Sequence, residues 1–167
     1  MERASGDRFL TESTRPMTYH TPVLLQEVVE QLRPRSGGLY VDCTLGGGGH
    51  AEAILRASEP NGRLIALDWD QEAQTNSGER LRGYGDRVRL MRASFADVEQ
   101  VLMSSGVTVV DGMLFDVGVS SRQFDEPSRG FSFLRDGPLD MRMDRTGPVT
   151  ARDVLCNASV EIGRAHV

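Results

Sequence analysis

Three places in this chain carry residues of the types and spacing that small-molecule chemistry needs. Between Val41 and His50 the sequence reads VDCTLGGGGH, an aspartate followed by four consecutive glycines. Gly46, Gly48 and Ala51 fit G-x-G-x-x-[G/A], the pattern of a tight turn at which a ligand comes close to the main chain. Asp68 follows at about the 20-residue spacing where a carboxylate accepts hydrogen bonds from ribose hydroxyls. Capping the next helix is its alternative role, and Asp70 could fill that role as well. Asp116 ends a further apolar run. A ligand that meets all three turns is an adenosine-containing cofactor, and NAD and S-adenosylmethionine both satisfy the pattern. No Gly-Lys-Ser/Thr follows the glycines, which excludes a P-loop. Ser120 and Ser121 have no evident histidine base.

The elements that must hold these residues alternate. The stretch YHTPVLLQEVVEQLRP predicts a helix with Thr21 as its cap, Pro22 in its first turn, and Leu24, Leu25, Val28, Val29 and Leu32 on one apolar face. Strands are expected at Leu39–Val41, Arg63–Leu67, Val88–Met91 and within VVDGMLFDVG. Helices are expected in GHAEAILRAS, over 71–82 and from Ala96 to Ser104, with Gly106 closing the last. Alternating strands and helices predict an α/β fold, a parallel sheet with helices on both faces. From Gly118 on, Gly, Pro, Asp and Arg predict a long ordered loop and then a short helix over about residues 150–158.

Composition bounds the rest. A chain of 167 residues, 39% hydrophobic and 26% charged, suits one globular domain. No apolar run approaches the roughly 20 residues that span a bilayer, so no membrane partner is expected. Cys43 and Cys156 are far apart and only three histidines are present. That predicts reduced thiols in a cytoplasmic protein and no metal site. The net charge of -5 argues against a broad nucleic-acid footprint, though not against a small basic patch.

Longer motifs add a resemblance. HTPVLLQEV, DCTLGGGGH and the segment DVGVSSRQFDEPSRGFSFLRDGPLDMRMD, from Asp116 to Asp144, resemble the bacterial RsmH (MraW) family over residues 19 to about 160. The resemblance implies a Rossmann-like class I methyltransferase fold. It also implies transfer of a methyl group from S-adenosylmethionine to the N4 amino group of a cytosine in 16S rRNA, with the small ribosomal subunit RNA as partner. By the same resemblance, cofactor contacts fall to Gly48, Gly49, His50, Asp68, Phe95, Asp116 and Gln123. His50 is expected to act through its backbone. Phe95 has a plain core position as its alternative. Asp116 is the candidate acceptor for the amine hydrogens. The family often has Pro at Arg122 and Arg-Asp-Pro at Trp69-Asp70-Gln71, and neither departure removes a proposed contact. Arg129, Arg135, Arg142 and Arg145 are candidates for RNA phosphates, with internal pairing to Asp136, Asp140 and Asp144 as the alternative.

Family members run to about twice this length, so the resemblance also implies an N-terminal fragment with a partial sheet. The expected divisions are a disordered leader over 1–18 (Met17 being an alternative start), a cofactor-binding core over 19–117, a motif segment over 118–160 and a non-native tail over 161–167. A non-catalytic cofactor-binding fragment and an NAD-binding module are the alternatives.

Overall fold

The computed structural model describes residues 22–159. Four strands, β1 (Leu39–Asp42), β2 (Arg63–Asp68), β3 (Val88–Arg92) and β4 (Gly112–Leu114), form one parallel sheet in the order β3-β2-β1-β4. Leu39 aligns with Arg63, Leu64 with Val88 and Tyr40 with Gly112. Helices α1 (Leu25–Leu32), α2 (Gly49–Ala57), α3 (Gln71–Leu81) and α4 (Val98–Ser104) flank the strands. This is the doubly wound, Rossmann-like arrangement, with β1 at the centre and the sequence reversing direction beside it.

Residues Leu64 to Leu67 of β2 are all buried, as a strand covered on both faces must be. Alternate residues serve two cores. Leu64 and Ala66 pack with Tyr40, Ile54, Leu55 and Leu81 on the α2 and α3 side. Ile65 and Leu67 pack with Val41, Cys43 and Val101 on the α4 side. Each buried aliphatic side chain contributes roughly 1.5–3 kcal/mol relative to exposure, so the two cores together fix the carboxyl ends of β1 and β2 at one level.

Two expectations change. Helix α1 begins at Leu25, not at Pro22. Leu24 is its N-cap, in the left-handed conformation (φ 57°) and without a side-chain cap. The Pro22 ring instead rests on Gly49, and the Val23 carbonyl faces the His50 ring. These long-range contacts hold the chain out of the helix for three residues. The proposed cap Thr21 lies outside the described residues, as do the leader over 1–18 and the tail over 161–167. The stretch after Gly118 is also not all loop. Helix α5 (Ser121–Asp125) and a 3-10 turn (Pro127–Arg129) precede α6 (Ala151–Asn157). A smaller difference is that Phe95–Asp97 forms a 3-10 turn, leaving α4 to start at Val98.

Candidate cofactor site

The turn from β1 to α2 is held from both sides. Asp42 ends β1 fully buried, and its Oδ1 accepts the Thr44 N–H at 3.0 Å. The Thr44 hydroxyl accepts the Asp116 N–H at 2.7 Å, and Cys43 donates to the Leu114 carbonyl at 2.9 Å. The turn is thereby tied to the end of β4. On the other side, the Gly46 N–H donates to Asp68 Oδ2 at 2.9 Å. Gly48 has φ 74°, and a Cβ there would meet Ser77 at 3.2 Å. Ser77 in turn donates its hydroxyl to the Gly46 carbonyl at 2.6 Å. Gly49 is bare because Pro22 lies against it. Conformation sets one glycine and close packing sets the other.

His50 does more than its backbone suggested. Its ring is buried, with Nε2 at 3.1 Å from the Val23 carbonyl and Nδ1 at 3.6 Å from the Asp116 carboxylate. Both ring nitrogens therefore face oxygen acceptors, and the side chain bridges the entry to α1 with the end of β4. The backbone of Gly48, Gly49 and His50 forms the start of α2 beneath the site.

Of Asp68 and Asp70, it is Asp70 that takes the capping role their sequence positions left open. Asp70 caps α3, its Oδ1 accepting the Glu72 N–H at 2.9 Å. Asp68 does not cap: its two oxygens accept from Gly46 and from the Asp70 N–H, each at 2.9 Å. Burial pushes the Asp68 carboxyl above the usual range, opposed by these backbone donors. Trp69 stands between them, 44% exposed.

The aromatic position after β3 is not core. Phe95 is 47% exposed and meets Phe115, the residue after β4, edge to face at 6.4 Å between ring centres. The two rings bring the loops after β3 and β4 together over the carboxyl edge of the sheet.

Gln123 reaches this region from α5. Its Oε1 accepts the Ser120 N–H at 3.0 Å and its Nε2 donates to Asp70 Oδ2 at 2.8 Å. Arg129 joins the same carboxylate at 2.7 Å, with 1% of its side chain exposed. It also donates to the Arg142 and Met143 carbonyls at 3.1 and 3.0 Å. The reading of Arg129 as a phosphate contact is corrected: it is an internal, buried cation that ties the motif segment to α3. Arg142 likewise pairs with Asp140 at 2.7 Å, which holds that carboxyl down at about 2. Arg135 donates to the Asp125 carbonyl at 3.1 Å, and Arg145 is exposed.

Two residues do more than the sequence indicated. Arg129 is paired internally, but with Asp70 and not with Asp136, Asp140 or Asp144, because an arginine in a polar segment carries no mark of a distant partner. Asp42 precedes the glycines in plain view. Its significance lies in one carboxylate oxygen, Oδ2, which is buried without a partner. Burial pushes this carboxyl up to about 7 against the pull of the Thr44 N–H, and the charges of Asp68 and Asp116 add to the rise. Among the described residues, no group of three or more His, Cys, Asp or Glu is placed to hold a metal ion, and no helix is long and apolar enough to cross a membrane.

Comparison with known proteins places this geometry. The MraW methylase family model matches residues 17–162. Over 139 residues the chain is 58% identical to the ribosomal RNA small subunit methyltransferase H of Symbiobacterium thermophilum, covering 83% of this chain and 43% of that protein. The enzymes of the same name from Syntrophobacter fumaroxidans and Geotalea uraniireducens are 51% and 52% identical, each covered to 44% of its length. The chain thus spans less than half the length of these relatives. With a family match across most of its residues and an arrangement of turns that suits a methyltransferase core, the chain belongs to the MraW methylase family.

Proposed function

We propose that this chain is the cofactor-binding portion of an enzyme that transfers a methyl group from S-adenosylmethionine to the N4 amino group of a cytosine in 16S rRNA. In this reading residues 19–117 form the cofactor core and 118–160 the motif segment that begins the substrate region. The observation that carries it is the gathering of the glycine turn, Asp68, Phe95 and Asp116 at the carboxyl edge of the sheet, in a chain of the MraW methylase family.

The residues suit that cofactor. An orphaned, buried Asp42 oxygen matches a cationic ligand. Asp68 accepts one N–H on each oxygen, and a carboxylate has about four acceptor positions, so capacity remains for ribose hydroxyls. Phe95 and Phe115 offer apolar rings for the base. The main chain of Gly48, Gly49 and His50 meets the methionine end. Gln123, with one further donor and one further acceptor position, closes the site from α5. When bound, the cofactor supplies a methyl group already activated on a sulfonium. The protein then has chiefly to position the amine in line with that methyl group. Asp116, with its neighbouring carbonyls, accepts the amine hydrogens so that the lone pair develops toward the methyl group. The target base enters unstacked, in a cytoplasmic setting where small-subunit RNA is present, and Arg135 and Arg145 lie on the motif segment available to phosphates.

The test is label transfer. Undermethylated small subunits are incubated with labelled S-adenosylmethionine and the complete Symbiobacterium relative, then with this chain. Label on cytosine N4 is expected with the relative. Label on another base would refute the substrate assignment. A second reading, cofactor binding without transfer, is favoured by the 43% coverage of that relative. It predicts binding but no label with this chain. Tighter binding of NAD than of S-adenosylmethionine would overturn both.

A further inference from the structure

We propose that a hollow at the amino edge of the sheet binds a phosphate group through Arg63 and Arg89. The hollow has a volume of about 470 Å³, within the range of small-molecule sites. It lies at the starts of β1, β2 and β3, and the loop after α4, Ser105 to Val109, walls one side. Both arginines leave the sheet on the α4 face. Ile65 packs in the α4-side core, and so does Met91. Arg63 stands two residues before Ile65, and Arg89, the register partner of Ile65, stands two residues before Met91. Residues two apart on a strand share a face. With strands about 4.8 Å apart and a rise of about 3.3 Å per residue, the two positions are roughly 8 Å apart, close enough for two long side chains to converge on one phosphate.

The charge at this edge is uncompensated. Arg63 and Arg89 are exposed, and among the described residues neither forms an ion pair. Arg87 lines the same hollow, partly buried. Its Nε donates to the Gly62 carbonyl at 2.8 Å and its Nη2 to the Leu55 carbonyl, and its guanidinium lies 5.6 Å from the centre of the Tyr84 ring. These neutral groups fix the side chain and leave its charge standing. Asp86 also lines the hollow but pairs with none of the three arginines among the described residues. An excess of cations here runs against the net charge of -5 of the chain. A phosphate relieves the mutual repulsion, and a guanidinium fork matches two of its oxygens at once. Leu39 and Val107 beside the arginines give the field a low-dielectric wall. The hollow is separate from the cofactor turns: Arg63 and Asp68 are the two ends of β2, about 16 Å apart at the strand rise. S-adenosylmethionine carries no phosphate, and the pyrophosphate of NAD would meet the glycine turn instead. An RNA backbone and a free phosphate are the two sources that share this recognition.

The test is titration of the 167-residue chain with a short oligouridylate and, separately, with inorganic phosphate. Oligouridylate offers no cytosine, so the outcome is independent of the proposed methyl transfer. Binding of at least one probe is expected. Arg63→Gln combined with Arg89→Gln should weaken that binding about tenfold or more. Arg33→Gln combined with Arg82→Gln changes the net charge equally at two exposed arginines outside the hollow, and should leave binding unaltered. An RNA source is shown when oligouridylate binds and inorganic phosphate at the same concentration does not. The plot of log affinity against log salt should then become shallower by about 1.4 in the Arg63 and Arg89 double variant, as two contacts to a single strand are lost. A free source is shown when inorganic phosphate binds and oligouridylate does not. A second measurement needs no variant: on titration of the parent, the Nε–H resonances of Arg63 and Arg89 should shift while those of Arg33 and Arg82 stay. Equal losses in the two double variants, resonances that move alike at all these arginines, or no binding of either probe would overturn the proposal.

Discussion

Asp70 gathers three donors on one side chain: the Glu72 N–H at 2.9 Å, Gln123 Nε2 at 2.8 Å and Arg129 Nη2 at 2.7 Å. The Asp70–Arg129 pair is buried, with 6% and 1% of the side chains exposed. Removing one partner of such a pair leaves an uncompensated charge and costs about 3–5 kcal/mol. Arg129→Met is therefore expected to lower the midpoint of urea unfolding sharply. Adding Asp70→Asn should recover part of the loss, which a double-mutant cycle would read as coupling. Independent, additive losses would show that the pair is not a unit. Asp68 supports a different expectation. A hydrogen bond to a charged group contributes roughly 1.5–3 kcal/mol, so Asp68→Ala should weaken S-adenosylmethionine binding about tenfold to a hundredfold by calorimetry. Unchanged affinity with a lowered melting temperature would confine Asp68 to bracing the glycine turn. The spacing of Asp68 from the glycines was visible in the sequence because the glycine turn and the end of β2 are one strand–helix–strand unit apart, a local distance along the chain. The fate of Arg129 was not, because its partner lies 59 residues away.

Elements read well from sequence where their signal was periodic and local. Four strands in alternation with helices led to the parallel sheet, and the apolar run in Arg63–Leu67 led to β2. The start of α1 could not be read this way, because contacts with Gly49 and His50, across the intervening strand, set it. Helix α5 was missed for the opposite reason. Its capping box, Ser120 with Gln123, stands in the sequence, but five residues are too few to show a helical period among glycines and prolines. Ser120 also bears on the site, since it orients Gln123 toward Asp70. Ser120→Ala should cost about 1 kcal/mol of stability. It should also increase hydrogen exchange at the Gln123 and Phe124 amides, which bond to the Ser120 side chain and carbonyl. Unaltered exchange there would mean that the cap does not hold α5.

At the scale of the whole molecule, the sheet ends on β4, which among the described residues pairs only with β1. Its outer backbone groups are a template for another strand. The surrounding sequence GMLFDVGV has one charge and no proline, and Val109, Phe115 and Val117 are exposed beside it. Size-exclusion chromatography should show the chain self-associating as concentration rises. A concentration-independent monomer that melts cooperatively would show that the edge is protected. The ion pairs that tie the motif segment to the core differ in kind. Arg92–Asp144 and Arg122–Glu72 are partly or well exposed, whereas Arg129–Asp70 is buried. Dissolved salt weakens exposed pairs and spares buried ones. In concentrated salt the segment loses its exposed ion pairs first and stays held at Asp70 by Arg129 and Gln123. The ionic strength around the molecule thereby sets how tightly the motif segment is held, while the glycine turn braced by Asp68 stays still.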